Sequence, residues 1–480
     1  MSGIPVFSAG TSLQSSGASV SAQIPADSAG MLPLFVRVTA TAAGYFRLSQ
    51  DGASAAVGDL LVQPSDGLIL KTCGLSQFSF VSQSGASTVT VTPIDVGGIK
   101  YPTNIFTPAA LFTPGVNGAW YDPSDYTTLY QDAAGTAPVT AVGQPVGLML
   151  DKSKGLVLGP ELNTGVVFAL GAGWTNNGGG SFTATSSSDY IALTCATGLT
   201  TGKTYRVTAN LTNYSGGTIR IGLDSAYSPY VTPSNGVMSW TFSAGGANSE
   251  DLILWGSSFT GTLDNISVRE LLGNHAFNPS GNSANFPVLQ QDGTGRYYLS
   301  FNGVNQWLRT NSIDFTYGDK MFVSAGVRKL SDASVGVVTE LSVSAGGGTS
   351  GTFVLHGQTS PVGYRYAAGS GASGAAFATD DASVFTAPIT NVVSGISDFA
   401  GVTIADEISV RVNGAAPTQT RAGTVSTGNF GNYPLYLGAR AGSSLWFNGH
   451  LYGLVVAGKQ ASASEIASTE AWLNQKTGAY

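Results

Sequence analysis

Charged side chains are scarce in this 480-residue chain. There are 21 Lys and Arg and 28 Asp and Glu, 10% of the total, against roughly 25% in ordinary soluble chains. The net charge is −7 and no cluster of Lys or Arg occurs. Nucleic-acid binding, which needs clustered cations to neutralise phosphates, is therefore not expected. Cysteine is almost missing. Cys73 and Cys195 are the only two and fall in different segments, so a disulfide framework is not expected and two buried thiols are. Only His275, His356 and His450 represent histidine. None stands at metal-ligand spacing from another or from a cysteine, which leaves each a structural or surface role. No apolar run approaches the ~18 residues of a membrane span. The opening "MSGIPVFSAG" lacks the charged and apolar regions of a secretory signal, so synthesis and solubility in a cytoplasm are expected. No heptad run fixes an oligomeric state.

What the chain has instead is 64 glycines, 42% hydrophobic and 10% aromatic residues. That composition argues against disorder. Gly, Ser, Thr and Ala separate short β-branched and aromatic runs, the pattern of many strands joined by tight turns. The fold class expected is all-β, a multidomain set of β-sandwiches. In "YYLSFNGVNQWLRT" (297–310), Tyr298, Ser300 and Asn302 share one parity and Leu299 and Phe301 the other, the alternation of a half-buried strand. "NGVNQ" supplies a turn, and Trp307 and Leu308 open a second strand. Near the C-terminus Ser462 and Glu465 form a capping box for one short helix. Ile466, Trp472 and Leu473 give it an apolar side and Gly478 its stop.

The order of this strand, "LYLG", "FNGHLYGLVV" and the closing helix resembles the laminin-G/concanavalin-A-like jelly roll. The string "GAWYDPSDYTTLYQDAAGTAPVTAVGQPVGLMLDKS" (118–153) resembles a segment recurrent in bacteriophage tail and virion proteins, where it precedes such a jelly roll. In that family "LDKS" runs directly into a "GN-x-HA" loop. Here "GNHAFNPSGNSANFPVLQQDGTGRYYLSFNGV" resumes only at Gly273. The segmentation that follows is a jelly roll of residues 106–155 and 272–480, interrupted by a guest at 156–271. Exposed loops accept guests whose termini lie close together. Alternation in "KTYRVTANL" and "TLDNISVREL" gives the guest half-buried strands. Over the whole insert it resembles β-sandwich carbohydrate-binding modules, which would set Leu158 near Leu271. Residues 1–97 resemble small β-sandwich proteins of bacteriophage particles. Residues 98–118, with three prolines, read as an extended connector.

Candidate chemistry is thin. Glycosidases need two carboxylates set across a cleft, and on concanavalin-like sandwiches these typically sit as Glu-x-Asp-x-x-Glu on one strand. No such string is present, and Glu250-Asp251, Asp380-Asp381 and Asp406-Glu407 read as turn or solvated-edge pairs. No enzyme is expected. Sandwich modules often join their first and last strands through a structural calcium. Glu161 and Asp264 occupy the matching places, with a metal-free capped turn as the alternative. Among the insert's aromatics, Trp240 and Trp255 lie in apolar strands and are expected in the core. Tyr227 and Tyr230, in "DSAYSPYVTP", are the candidate glycan-stacking residues.

The resemblances imply a virion structural protein, a tail fibre or spike-type appendage contacting the host surface through a glycan. The alternative is a capsid-decoration or collar protein whose lectin-like domains bind neighbouring subunits. Implied partners are other virion proteins, a host-surface glycan and further copies of the chain, with a trimer as the guess from virion symmetry. Apart from the candidate calcium, no cofactor is implied.

Overall fold

The computed structural model describes residues 10–26, 32–33, 35–49, 53–64, 66–72, 75–94, 106–195, 199–200, 203–223, 226–243, 251–343, 351–358, 363–369, 376–380 and 385–480. It is all-β, in two compact units, 1–106 and 107–480. The first unit is a small sandwich of two four-stranded sheets. One orders Thr11–Ser15, Ser87–Ile94, Phe35–Ala40 and Leu68–Lys71; the other Val20–Gln23, Gln77–Ser82, Gly44–Ser49 and Leu60–Val62. Strict alternation in "STVTVTPI" turns Val89 and Val91 inward, where they join Val36, Val38, Phe46, Phe78 and Phe80. Cys73 lies outside the described residues.

The connector expected over 98–118 is only partly a connector. Residues 98–105 lie outside the described set, but Pro108–Leu111 forms a 3-10 turn with Leu111 fully buried. Gly118–Tyr121 is already a strand, paired antiparallel with Asn448–Ala457. Proline here starts a turn and does not keep the segment extended, because fixed φ suits the first position of a helix.

Two large antiparallel sheets face each other in the second unit. One runs from Leu129–Tyr130 through Leu148–Met149, Ala276–Phe277 and Leu308–Asp314 to Asn432–Leu437 and beyond. The other centres on Tyr297–Asn302, Asn448–Ala457, Lys320–Lys329 and Ile389–Asp398. The alternation read in Tyr297–Asn302 is realised, with Leu299 and Phe301 buried. Gly303, at φ 71°, turns the chain from one sheet to the other. The core between the sheets mixes Tyr121, Leu129 and Met149 with Leu299, Phe301, Val323 and Leu454. The helix Ala463–Thr477 carries the capping box and ends on left-handed Gly478. It lays Trp472 and Leu473 against this unit's second sheet, beside Gly326 and Gly453, where a Cβ would collide with it. A second helix of one turn, Ile404–Glu407, was not legible in the sequence.

The insert is built on two long strands, Thr204–Leu223 and Asp251–Leu271, paired with each other nearly throughout. Tyr205, Val207, Ala209 and Leu211 point into its core with Leu263 and Val268. Left-handed Asn213, Gly217, Ser258 and Asn265 bend both strands. Both lie in one nine-stranded sheet, and the inward residues on either side of the bends join a single core. Cys195 is buried in this core.

The insert's two ends meet. Leu158 pairs with Leu271, and Leu272 N–H donates to the Val157 carbonyl at 3.0 Å. Beneath them Asp151, fully buried, accepts four hydrogen bonds. Trp120 N–H and Ser153 N–H reach Oδ1, each at 2.8 Å; Ser153 Oγ and Asn274 N–H reach Oδ2, each at 2.7 Å. Asp151 N–H donates to His275 Nδ1 at 2.9 Å, and the other ring nitrogen bonds the Leu271 carbonyl at 3.0 Å. Asn274 Nδ2 donates to the Gly118 carbonyl, and Tyr121 OH to that of Asn274. Higher up, Tyr130 OH bonds Thr241 Oγ1 at 2.8 Å, and Ser243 N–H donates to the Ala134 carbonyl.

Buried histidines make stability sensitive to acid. His356 is pushed down to about 3, by burial first and then by the nearby Arg440 and Arg365 guanidiniums. His275 is lowered by burial, against the opposing pull of Asp151. Both are neutral in the folded state, whereas unfolded imidazoles protonate near 6.5. The stabilisation is complete above that value and is lost as pH falls below it. Replacing His356 by Leu is expected to reduce the slope of stability between pH 6 and pH 4 by up to ~1.4 kcal/mol per pH unit. Urea midpoints of both proteins across that range check it.

Candidate functional site: an aromatic face around Arg220

In "TIRIGL", Ile219 and Ile221 enter the insert's core, which forces Arg220 outward. In "LILWG", Leu252 and Leu254 do the same and turn Trp255 out. Ile191 and Leu193 likewise leave Tyr190 on the outer side. The three strands are in register, so Tyr190, Trp255 and Arg220 form one cross-strand row. The expectation that Trp255 belongs to the core is thus corrected: Leu252 and Leu254 are the inward residues of this stretch, and Trp255 is only half buried.

Tyr227 and Tyr230 arrive from the next segment. Tyr227 pairs with Gly222, and Val231 exchanges both backbone hydrogen bonds with Ile219. Between them Ser228 N–H donates to the Ile221 carbonyl, and Ile221 N–H to Ser228 Oγ at 3.0 Å. A turn stitched at each side holds both tyrosines in place, 40% and 43% exposed. The Arg220 guanidinium carbon lies 4.8 Å from the ring centres of Tyr227, Tyr230 and Trp255 alike. Tyr190 packs on Trp255 at 5.1 Å. Each cation–ring contact stabilises by roughly 0.5–2 kcal/mol. Arg220 Nε is nevertheless buried with no hydrogen-bond acceptor, and no carboxylate pairs with the residue among the described ones. The result is a fixed patch of half-exposed rings around a cation with unused donors. Such rings stack on the C–H faces of sugars, and the donors take hydroxyl or carboxylate oxygens.

The structure does not bring Glu161 and Asp264 together. Glu161 accepts from Asn163 N–H, Ser267 Oγ and Val268 N–H and pairs with Arg269 Nε at 3.2 Å. Burial would raise this carboxyl, but those bonds outweigh it and hold it below the ordinary carboxylate value. Asp264 stands five residues from Arg269 along the strand, opposite Asn210. Among the described residues no group of three or more His, Cys, Asp or Glu side chains converges as a metal site.

Of the other residues read from the sequence, Trp240, opposite inward-facing Val207, packs half buried against the insert's core and also borders a groove. Glu407 is no edge residue: it is 1% exposed and accepts from Ser426 N–H at 2.8 Å. Glu250 and Asp381 lie outside the described residues. His450, read as structural or at the surface, lies within the strand Asn448–Ala457 with its ring stacked 3.9 Å from Tyr298, which does not depart from that reading. Sequence reasoning missed Arg220 altogether. The local signal, an Arg between two inward isoleucines, was available, but the rings that surround it come from distant strands.

No family model and no curated protein matches the chain. Among solved structures it is similar to the receptor-binding domain of botulinum neurotoxin type G, with a TM-score of 0.27 and 8% identity over 40% of this chain and 47% of that one. A second structure of the serotype G binding domain gives 0.28 and 9% over 43% and 48%. The chain thus spans about half the length of these binding domains. The CBM22 tandem domain of Paenibacillus barcinonensis Xyn10C gives 0.16 and 11%, over 66% of this chain and 100% of that one. At these TM-scores, function has to be read from the chain's own residues.

Proposed function

We propose that the chain is a binding protein that holds a surface glycan on the aromatic face of its insert. The single observation supporting this is the fixed array of Tyr227, Tyr230 and Trp255 around the unpaired Arg220. The biological setting in this reading is a bacteriophage virion. There the chain serves as a tail fibre or spike-type appendage, attached to the particle by residues 1–97 and present in several copies. It binds without turnover.

The test is binding of the full chain to capsular polysaccharide and lipopolysaccharide, with release of reducing sugar measured in parallel. Tyr227→Ala and Tyr230→Ala together are expected to weaken binding at least about tenfold, ~1.4 kcal/mol, with the unfolding midpoint unchanged. Binding untouched by the double substitution would move the reading to the decoration protein, with this face turned to a neighbouring subunit. Sugar release would make the protein an enzyme.

A further inference from the structure

A second unpaired guanidinium lies on the same strand as Arg220. Arg206 faces outward from Thr204–Leu223, with Nε buried and without an acceptor, and only Ser239 Oγ, 3.3 Å from Nη1, as a side-chain partner. It borders a groove of about 770 Å³ between the insert and the jelly roll, lined by Trp240, Asn235, Ser239, Tyr126 and Thr136. That size suits a ligand site, and such sites favour junctions of this kind.

The groove and the Arg220 face are joined. From Tyr227 the chain runs antiparallel beside the strand, with Val231 opposite Ile219, Gly236 opposite Leu211 and Thr241 opposite Arg206. Asn235, Val237 and Ser239 are exposed along it. At about 3.3 Å per residue the strand between the two arginines spans at most ~46 Å, less across its bends at Asn213 and Gly217, which is still the length of several sugar rings.

Resting on the glycan reading above, we propose that the ligand is an acidic polysaccharide that crosses the Arg220 face and continues along this edge into the groove at Arg206. Guanidinium forks match carboxylate and sulfate oxygens, and both arginines keep donors free for them. The net charge of −7 repels a polyanion elsewhere on the molecule. Each end therefore combines aromatic surface with a guanidinium that attracts such a chain.

Calorimetry of the full chain with short and long oligogalacturonates, oligosialates and sulfated glycosaminoglycan fragments tests this against neutral oligosaccharides of matched length. Long acidic chains are expected to bind about tenfold tighter than short ones, ~1.4 kcal/mol, and neutral ones more weakly than either. Arg220→Gln should lower affinity for both lengths. Arg206→Gln should remove only the gain with length, and Arg206→Lys, which keeps the charge without the fork, should restore part of it. Equal affinity for neutral and acidic chains would overturn the acidic ligand and leave the glycan reading standing. Affinity independent of length, or indifferent to Arg206→Gln, would overturn the groove. Failure of every saccharide to bind would overturn both this inference and the glycan reading.

Discussion

A fragment of residues 272–480 is expected not to fold. Five large side chains of the jelly-roll core, Tyr121, Leu129, Val139, Val146 and Met149, lie before the insert. Full burial of such groups contributes roughly 1.5–3 kcal/mol each, so their loss removes about 8–15 kcal/mol. That matches the whole stability of a typical domain, ~5–15 kcal/mol. The edge strand Gly118–Tyr121 would go with them and leave half of Asn448–Ala457 unpaired on one side. The fragment should aggregate, since an open edge is a template for pairing.

The complementary deletion should fold. Removing 159–270 and closing with a short Gly/Ser linker keeps Leu156 and Leu271, which pack with Tyr130, Leu148 and Leu150 beneath the insert. The ends to be joined are already paired, and loop closure varies only logarithmically with length. A cooperative urea transition is expected for the deletion and none for 272–480. The reverse pair of results would mean that the jelly roll does not depend on residues before the insert.

The other large effect is at Asp151. Substitution by Ala strands three backbone N–H groups, those of Trp120, Ser153 and Asn274, in the interior. Unsatisfied buried donors cost ~1–3 kcal/mol each, and relaxation recovers part of that, so a loss of about 3–5 kcal/mol is expected. Asp151→Asn retains one carbonyl oxygen and should lose less. Denaturant midpoints at constant slope measure both. A shift for Asp151→Ala below ~0.5 kcal/mol, within the range of ordinary surface substitutions, would show that the junction does not depend on this carboxylate.

Asp151 also shows what the sequence makes legible. It belongs to "LDKS" and its partners Asn274 and His275 to "GNHA", strings far apart in the chain whose resemblance to one continuous segment places them together. Local periodicity was legible too: Leu299, Phe301, Val207 and Leu211 are inward as alternation requires. Register between distant strands was not. Trp255 sits in a run of apolar residues and reads as core until its pairing with Arg220 and Tyr190 puts it on the outer face. The bends at Gly217 and Ser258, within two strands of 20 and 21 residues, leave only glycines and serines in a chain full of both. Glu407 reads as half of an exposed acidic pair, yet a single helical turn capped by Thr403 carries it inside. Each miss arises where a contact across the chain overrides a local pattern.

The segments that a bound glycan covers decide whether the aromatic face is its binding site. Amide hydrogen exchange of the full chain, with and without a saturating acidic polysaccharide, maps that contact. Slowed exchange is expected in 219–223, 226–240 and 252–256, with residues 10–94 unchanged. Protection confined to other strands of the jelly roll or to the N-terminal unit, with these segments unaffected, would contradict it.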